Sequence, residues 1–307
     1  MNPKFLKQLI EKCPLTDFSA NGNVDERSLQ LDKYLESFTE DLYSNEPLII
    51  KKLWEESFAK NQLLIIQQSS FLRRCLVFLD VSVAIFNHIS SKYIKNKSAT
   101  KTAKMLSVQF QNIFNLFKTI LILFMNGCFH SVLAEYRTMY ESFVITKYLL
   151  LHPELISIYK EHADFLVLHI NKMSNNNTPE QEKRYDEFIK KYGNDFSENF
   201  GWTKNIITNK KDRKLITLVN ECNLRPFFGP LYKVSCNYVH PSSFSSISRI
   251  KPNFINPFLQ ACLYIIDDEM LDYLKESKIP NREGVLLRNL LDFIFEDINK
   301  GFFNIEK

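Results

Sequence analysis

Glycine is scarce in this chain, with 7 in 307 residues, while phenylalanine numbers 26 and tyrosine 13. So few flexible positions argue against a turn-rich β fold, and so many rings suit long packed helices. The six cysteines, at 13, 75, 128, 222, 236 and 262, never pair as C-x-x-C, which removes the common zinc and redox motifs. Widely spaced single cysteines read as reduced thiols of a cytoplasmic protein. Walker A, Rossmann, G-x-S-x-G and H-E-x-x-H patterns are all missing, so no cofactor and no metal is expected. The most apolar stretches, 63–66, 75–86 and 116–129, are interrupted by Arg73, Arg74, Asp80, Lys118 or Asn126. They fall short of the ~18 uninterrupted residues of a membrane span and read as buried helices, with no membrane partner. The first residues, MNPKFLKQLIEKCPLTDF, lack the apolar core of a signal peptide. A net charge of +4 and a pI near 8.6 bias the chain weakly toward anionic partners, well below a dedicated nucleic-acid binder.

What is there is helical periodicity. Residues 24–42 are amphipathic, with Leu29, Leu31, Leu35, Phe38 and Leu42 near one side. A helical pattern runs from Pro47 to about residue 93, and a basic, Ser/Thr-rich connector follows at 92–104. A second long helix is expected from about 103 to 152, ended by Pro153, since proline removes a donor and crowds the preceding turn. Another helix follows to about 173. Thr178-Pro179-Glu180-Gln181 is a capping box with proline at the first helical position, so a helix starts there. Residues 192–211 are irregular. Helices are then expected over 212–222, 232–240, 257–275 and 284–299. The reading is an all-α, multi-helix bundle with an N-terminal helical region, 1–100, and a C-terminal helical domain, 101–307.

Two segments concentrate polar chemistry. In HSVLAEYRTMYESFVITKY, 130–148, His130, Arg137 and Glu141 share one face at 100° per residue with Leu133, Tyr140, Val144 and Tyr148. Charges on such a stripe are costly to bury without partners. In YKVSCNYVH, 232–240, Lys233, Asn237 and His240 share one face, and Tyr232, Ser235 and Val239 another. A cation, an amide and an imidazole on one face could hold a phosphodiester, orient it and serve as general acid or base. The structural alternatives stand beside this. Arg137 and Glu141 could be an internal ion pair fixing helix register, His130 a satisfied core histidine, and His240 a helix C-terminal cap. Trp202, after Gly201, could stack a base or seal the core. The run Asn209-Lys210-Lys211-Asp212-Arg213-Lys214 reads as a solvated helix start and as the most plausible phosphate-attracting patch. His162 and His169, seven apart, are too far apart to share a metal.

The stretch from about 105 to 246 resembles a bacterial domain-of-unknown-function family, number 5677. The resemblance rests on MNGCFHSVLAEYRTMYESFVITKYLLLHPE, on Gly201-Trp202 and on LYKVSCNYVHPS, matching at Gly127, Arg137, Glu141, Tyr232, Ser235 and His240. It implies a helical bundle and carries no activity. A looser similarity is to the HEPN superfamily of helical ribonucleases and toxins, through Lys233-x6-His240 with Asn237 between, where the superfamily has arginine in place of Lys233. Lysine cannot grip a phosphate bidentately. That similarity implies a homodimer with facing motifs and RNA as substrate.

The expectation is therefore a HEPN-like helical protein acting on RNA, in the style of a toxin or antiviral, phage-defence ribonuclease. His240, Arg137, Glu141, Lys233 and Asn237 form its catalytic set, and His130, Tyr140, Trp202, Tyr232 and Ser235 its binding set. The alternatives are a non-catalytic sensor or interaction module with a buried polar network, and a small-ligand sensor using an aromatic cavity near Tyr140 and Tyr148.

Overall fold

The computed structural model describes residues 24–44, 70–94, 99–239, 250 and 252–303. Among these, every regular element is helical and no strand occurs. In chain order they are α1 (Val24–Ser44), α2 (Ser70–Ile89), a π-helical turn (Ser90–Ile94), α3 (Lys101–Met125), α4 (Phe129–Leu151), α5 (Ile156–Met173), α6 (Pro179–Tyr192), α7 (Leu215–Glu221), α8 (Arg225–Val239), α9 (Pro252–Glu276) and α10 (Asn281–Phe303). Short 3-10 turns lie at Pro153–Leu155, Asn194–Ser197, Gly201–Thr203 and Lys210–Asp212. Cys13, residues 45–69 and His240 lie outside the described residues. Cys75, Cys128, Cys222, Cys236 and Cys262 are unpaired.

The chain divides into two compact units. The first takes the described residues up to Tyr140 and those from Leu231 onward; the second is Glu141–Pro230. In the first, α9 packs against α2, α3 and α10, and α10 against α1 and α2. Leu259, Leu263, Ile266 and Met270 of α9 are fully buried. Each such side chain contributes ~1.5–3 kcal/mol against exposure. Phe86, Phe110, Phe114 and Tyr273 form a ring cluster, with Phe110 and Phe114 centroids 4.2 Å apart. The Tyr273 hydroxyl is tied to Ser90 Oγ at 2.8 Å. Of the described helices, α3 is long and apolar enough to cross a membrane. Phe110, Ile113, Phe117 and Ile120 nevertheless bury one of its faces, as in a core helix.

The second unit pairs α5 with α6 and with the 3-10 turns at Pro153–Leu155, Asn194–Ser197 and Gly201–Thr203. Thr178 and Gln181 form the reciprocal capping box expected from the sequence, with Pro179 at the first position. Pro153 converts the end of α4 into a 3-10 turn before α5. Gly201 approaches the backbone so closely that a Cβ would lie 2.6 Å from Asp195 O and 2.7 Å from Phe196 O.

Three sequence expectations need correction. The long helix over 103–152 is two helices. Gly127 takes φ +72, Cys128 N–H donates to Leu123 O at 2.9 Å and Gly127 N–H to Phe124 O at 3.0 Å. That is a Schellman termination, which glycine permits without strain. The helix expected to open at Tyr232 begins at Arg225 with Pro230 inside it, and the one expected at Pro257 begins at Pro252. In α9, Pro252 takes the first helical position, where a missing donor costs little, and Pro257 lies exposed near the same end. The basic run at 209–214 is a structural clamp in part. Arg213 is buried, and its side chain donates to Asp195 Oδ2, Ile207 O and Thr208 O. Lys210 is paired with Glu198 at 2.6 Å.

Candidate functional site

In the first unit, α4 and α8 meet through rings. Tyr140 and Tyr232 centroids are 5.0 Å apart, His130 lies edge-on to Tyr238 at 5.9 Å, and the Arg137 guanidinium sits 5.9 Å from the Tyr232 ring centre. Arg137 and Tyr232 are half-buried, so this cation–π contact is partly desolvated. Tyr238 continues to Phe254 at 5.5 Å and Phe254 to Phe258 at 5.8 Å, which carries the seam onto α9. Tyr136 closes it edge-on against Phe258 at 5.1 Å.

The helical wheel explains how α8 divides its labour. Tyr232, Ser235 and Tyr238 fall on one side, and the ring distances just given show that Tyr232 and Tyr238 face α4. Ser235 is fully buried and donates its hydroxyl to Tyr232 O at 2.7 Å. Lys233 and Asn237 lie roughly 160–200° round the helix from Ser235, and both are exposed. The structure thus brings Arg137, Tyr140, Tyr232 and His130 to the packed side of α8, and leaves Lys233 and Asn237 on its outer side. His130 is exposed, whereas Tyr140 is buried. His240, the third member of the outer stripe by sequence, lies outside the described residues.

Glu141 and Trp202 belong to the second unit. Glu141 is half-buried. Trp202 is 1% exposed and packs edge-on to Tyr148 at 5.9 Å and Tyr159 at 5.0 Å. Its ring therefore fills the core and leaves no open face for a base. His162 and His169 each have their own partner: His162 Nε2 donates to Glu198 O at 3.0 Å, and His169 Nδ1 meets the Tyr185 hydroxyl at 3.2 Å. Burial pushes the His162 imidazole below its ordinary range. Among the described residues, no group of three or more His, Cys, Asp or Glu is placed to hold a metal ion.

Three polar constellations escape sequence reasoning. The Glu283 carboxylate, 8% exposed, accepts from His88 Nε2 at 2.7 Å, Lys92 Nζ at 2.9 Å and the Tyr93 hydroxyl at 2.7 Å. Burial opposes its charge, but these three donors hold its pKa down to about 2. Their geometry depends on the π-helical turn at Ser90–Ile94, which carries Lys92 and Tyr93. On α9, Asp267 Oδ1 is buried without a hydrogen-bond partner among the described residues. Burial, and then the charges of Asp292 and Asp268, push its carboxyl up to about 7. In the second unit, His152 lies between Glu221 and Glu154. Sequence separations of 195 residues for His88 and Glu283 and 69 for His152 and Glu221 leave no local pattern that could have revealed these pairs.

No curated protein and no solved structure matches the chain. Residues 103–253, from α3 to the first residues of α9, match the model of the Family of unknown function (DUF5677), and the match supports placing this part of the chain in that family.

Proposed function

We propose that this protein acts on RNA through the outer face of α8, as a metal-independent endoribonuclease of the toxin or phage-defence kind working as a homodimer. The observation that carries the reading is the exposed pair Lys233 and Asn237, one turn apart on a helix whose opposite side is anchored by rings. Lys233 would neutralise a phosphate and Asn237 orient it. His240, next on the same stripe by sequence, would transfer the proton between the attacking and leaving oxygens. Arg137 then serves as a positioning residue, because its guanidinium is engaged with Tyr232 on the packed side. A net charge of +4 suits an anionic substrate held by a few local contacts rather than by a broad basic surface.

The second reading is a non-catalytic interaction module, in which the same outer face docks a partner protein. The burial of Tyr140 and Ser235 favours it, since both hydroxyl-bearing side chains are committed to the fold. Purified protein incubated with structured and single-stranded RNA separates the two. Under the RNA reading, wild type cleaves, His240→Ala abolishes cleavage with melting unchanged, and Lys233→Ala weakens RNA retention. Wild type that neither binds nor cleaves RNA eliminates that reading.

A further inference from the structure

His152 follows the last residue of α4 and opens the 3-10 turn Pro153–Leu155. Its two ring nitrogens face two carboxylates: Nε2 is 2.6 Å from Glu221 Oε1, and Nδ1 is 3.5 Å from Glu154 Oε1. Its side chain is 18% exposed, so the ring is shielded yet reachable by protons. Glu221 is the last residue of α7, where the unpaired carbonyls of a helix end disfavour a carboxylate. An imidazolium beside it offsets that cost. The His152 ring lies 4.6 Å from the Tyr148 ring, and Tyr148 packs on Trp202. The other titratable groups here are Tyr148 on α4, Cys222 just beyond α7 and Lys147, whose charge acts on Cys222. Burial, and then the Glu221 charge, hold both Tyr148 and Cys222 above their ordinary ranges. Both therefore stay neutral near pH 7.

We propose that His152 is a proton-operated lock within the second unit, which fastens the end of α7 and the Pro153 turn to the end of α4 when the imidazole is charged. The charged ring has two N–H donors, one for each carboxylate. The neutral ring has one, so loss of the proton turns a lone pair toward either Glu154 or Glu221. If the remaining proton sits on Nε2, the longer and weaker link to Glu154 breaks. If it sits on Nδ1, α7 is released. Either outcome loosens the corner that supports Tyr148 and Trp202.

The test uses the full chain carrying Trp54→Phe, so that Trp202 is the remaining tryptophan. Its fluorescence is followed from pH 5 to pH 8.5. A single-proton transition is expected, absent in His152→Gln. Glu221→Gln should lower its midpoint by half a pH unit or more, and Glu154→Gln should lower it less, in line with the two distances. Hydrogen exchange of the α7 amides, corrected for intrinsic rate, should accelerate across the same midpoint. A flat wild-type titration overturns the lock, as does an identical transition in His152→Gln. Should His152→Gln fail to fold, the Glu221→Gln midpoint decides, and an unshifted midpoint overturns the proposal.

Discussion

Leu259, Leu263, Ile266 and Met270 in the first unit and Arg213, Asp195 and Lys204 in the second occupy comparable roles, each set joining several elements. The first set is apolar and fully buried on a long helix. The second is charged: Arg213 is 4% exposed in its side chain and Asp195 21%, and the joined pieces are short turns between α6 and α7. Hydrophobic burial is non-directional and changes little with salt or pH. A buried ion pair is directional, and removal of one member leaves the other charged and unsatisfied. The two units should therefore fail under different conditions.

Arg213→Ala is the largest expected effect. It removes three hydrogen bonds, leaves the carbonyls of Ile207 and Thr208 without their donor, and leaves Asp195, whose carboxyl Arg213 and Lys204 hold below its usual range, with Lys204 alone. A loss of ~3–5 kcal/mol is expected from breaking such a buried pair. In the Trp54→Phe background, urea unfolding followed at Trp202 should shift far more than unfolding followed by far-ultraviolet dichroism. Coincident, equally shifted curves would mean that the two units unfold as one.

Glu283→Gln tests the converse, a charged cluster inside the apolar unit. The Glu283 pKa is lowered from 4.5 to about 2, so its contribution is present above pH 4.5 and lost as pH falls toward 2. At 1.36 kcal/mol per pKa unit, and with Lys92 half-exposed, the substitution should cost ~2–3 kcal/mol at pH 7. The difference from wild type should vanish near pH 2. Equal melting of both proteins at pH 7 would show that the cluster contributes nothing to the first unit.

Asp267→Asn should act in the opposite direction. With the pKa raised from 3.8 to about 7, the native state prefers the proton, and the cost of the charge grows as pH rises from 4 to 7. The substitution should stabilise the protein by ~1–2 kcal/mol at pH 8 and by nothing at pH 4. Destabilisation at pH 8 would indicate that the carboxylate is satisfied in solution.

Helix types and most boundaries were legible because apolar periodicity and the Thr178 box are local signals. The stop at Gly127 was present as Asn126-Gly127 but was obscured, since both flanking helices are apolar enough to read as one. The stripe of Lys233 and Asn237 followed from spacing alone. Which side of α8 would be packed did not, because Tyr232 and Tyr238 choose it through partners on α4 and α9. Arg213 read as a solvated cation because nothing within a few residues announces Asp195, 18 positions earlier. Long-range polar pairing is what the sequence leaves hidden, through His88 and Glu283 in the first unit and through Arg213 and Asp195 in the second.

The smallest expected effect isolates the local signal of the second unit from its ion pairs. Thr178 Oγ1 accepts from Gln181 N–H at 3.3 Å, and Gln181 Oε1 accepts from Thr178 N–H at 2.9 Å. Pro179 presets the first helical φ, Glu180 and Glu182 lie in the first turn, and Lys190 and Lys191 lie in the last. Together they stabilise α6 from within its own sequence. Thr178→Ala removes the Oγ1 that accepts from the Gln181 N–H and keeps the backbone N–H that the Gln181 side chain caps, at a cost of ~1 kcal/mol. Gln181→Ala should cost less, and the double mutant should fall short of the sum, because the bonds are reciprocal. Neither loss should depend on salt, in contrast to the Arg213 clamp. A Thr178→Ala penalty that grows with ionic strength would show that α6 is held by its charges rather than by its cap.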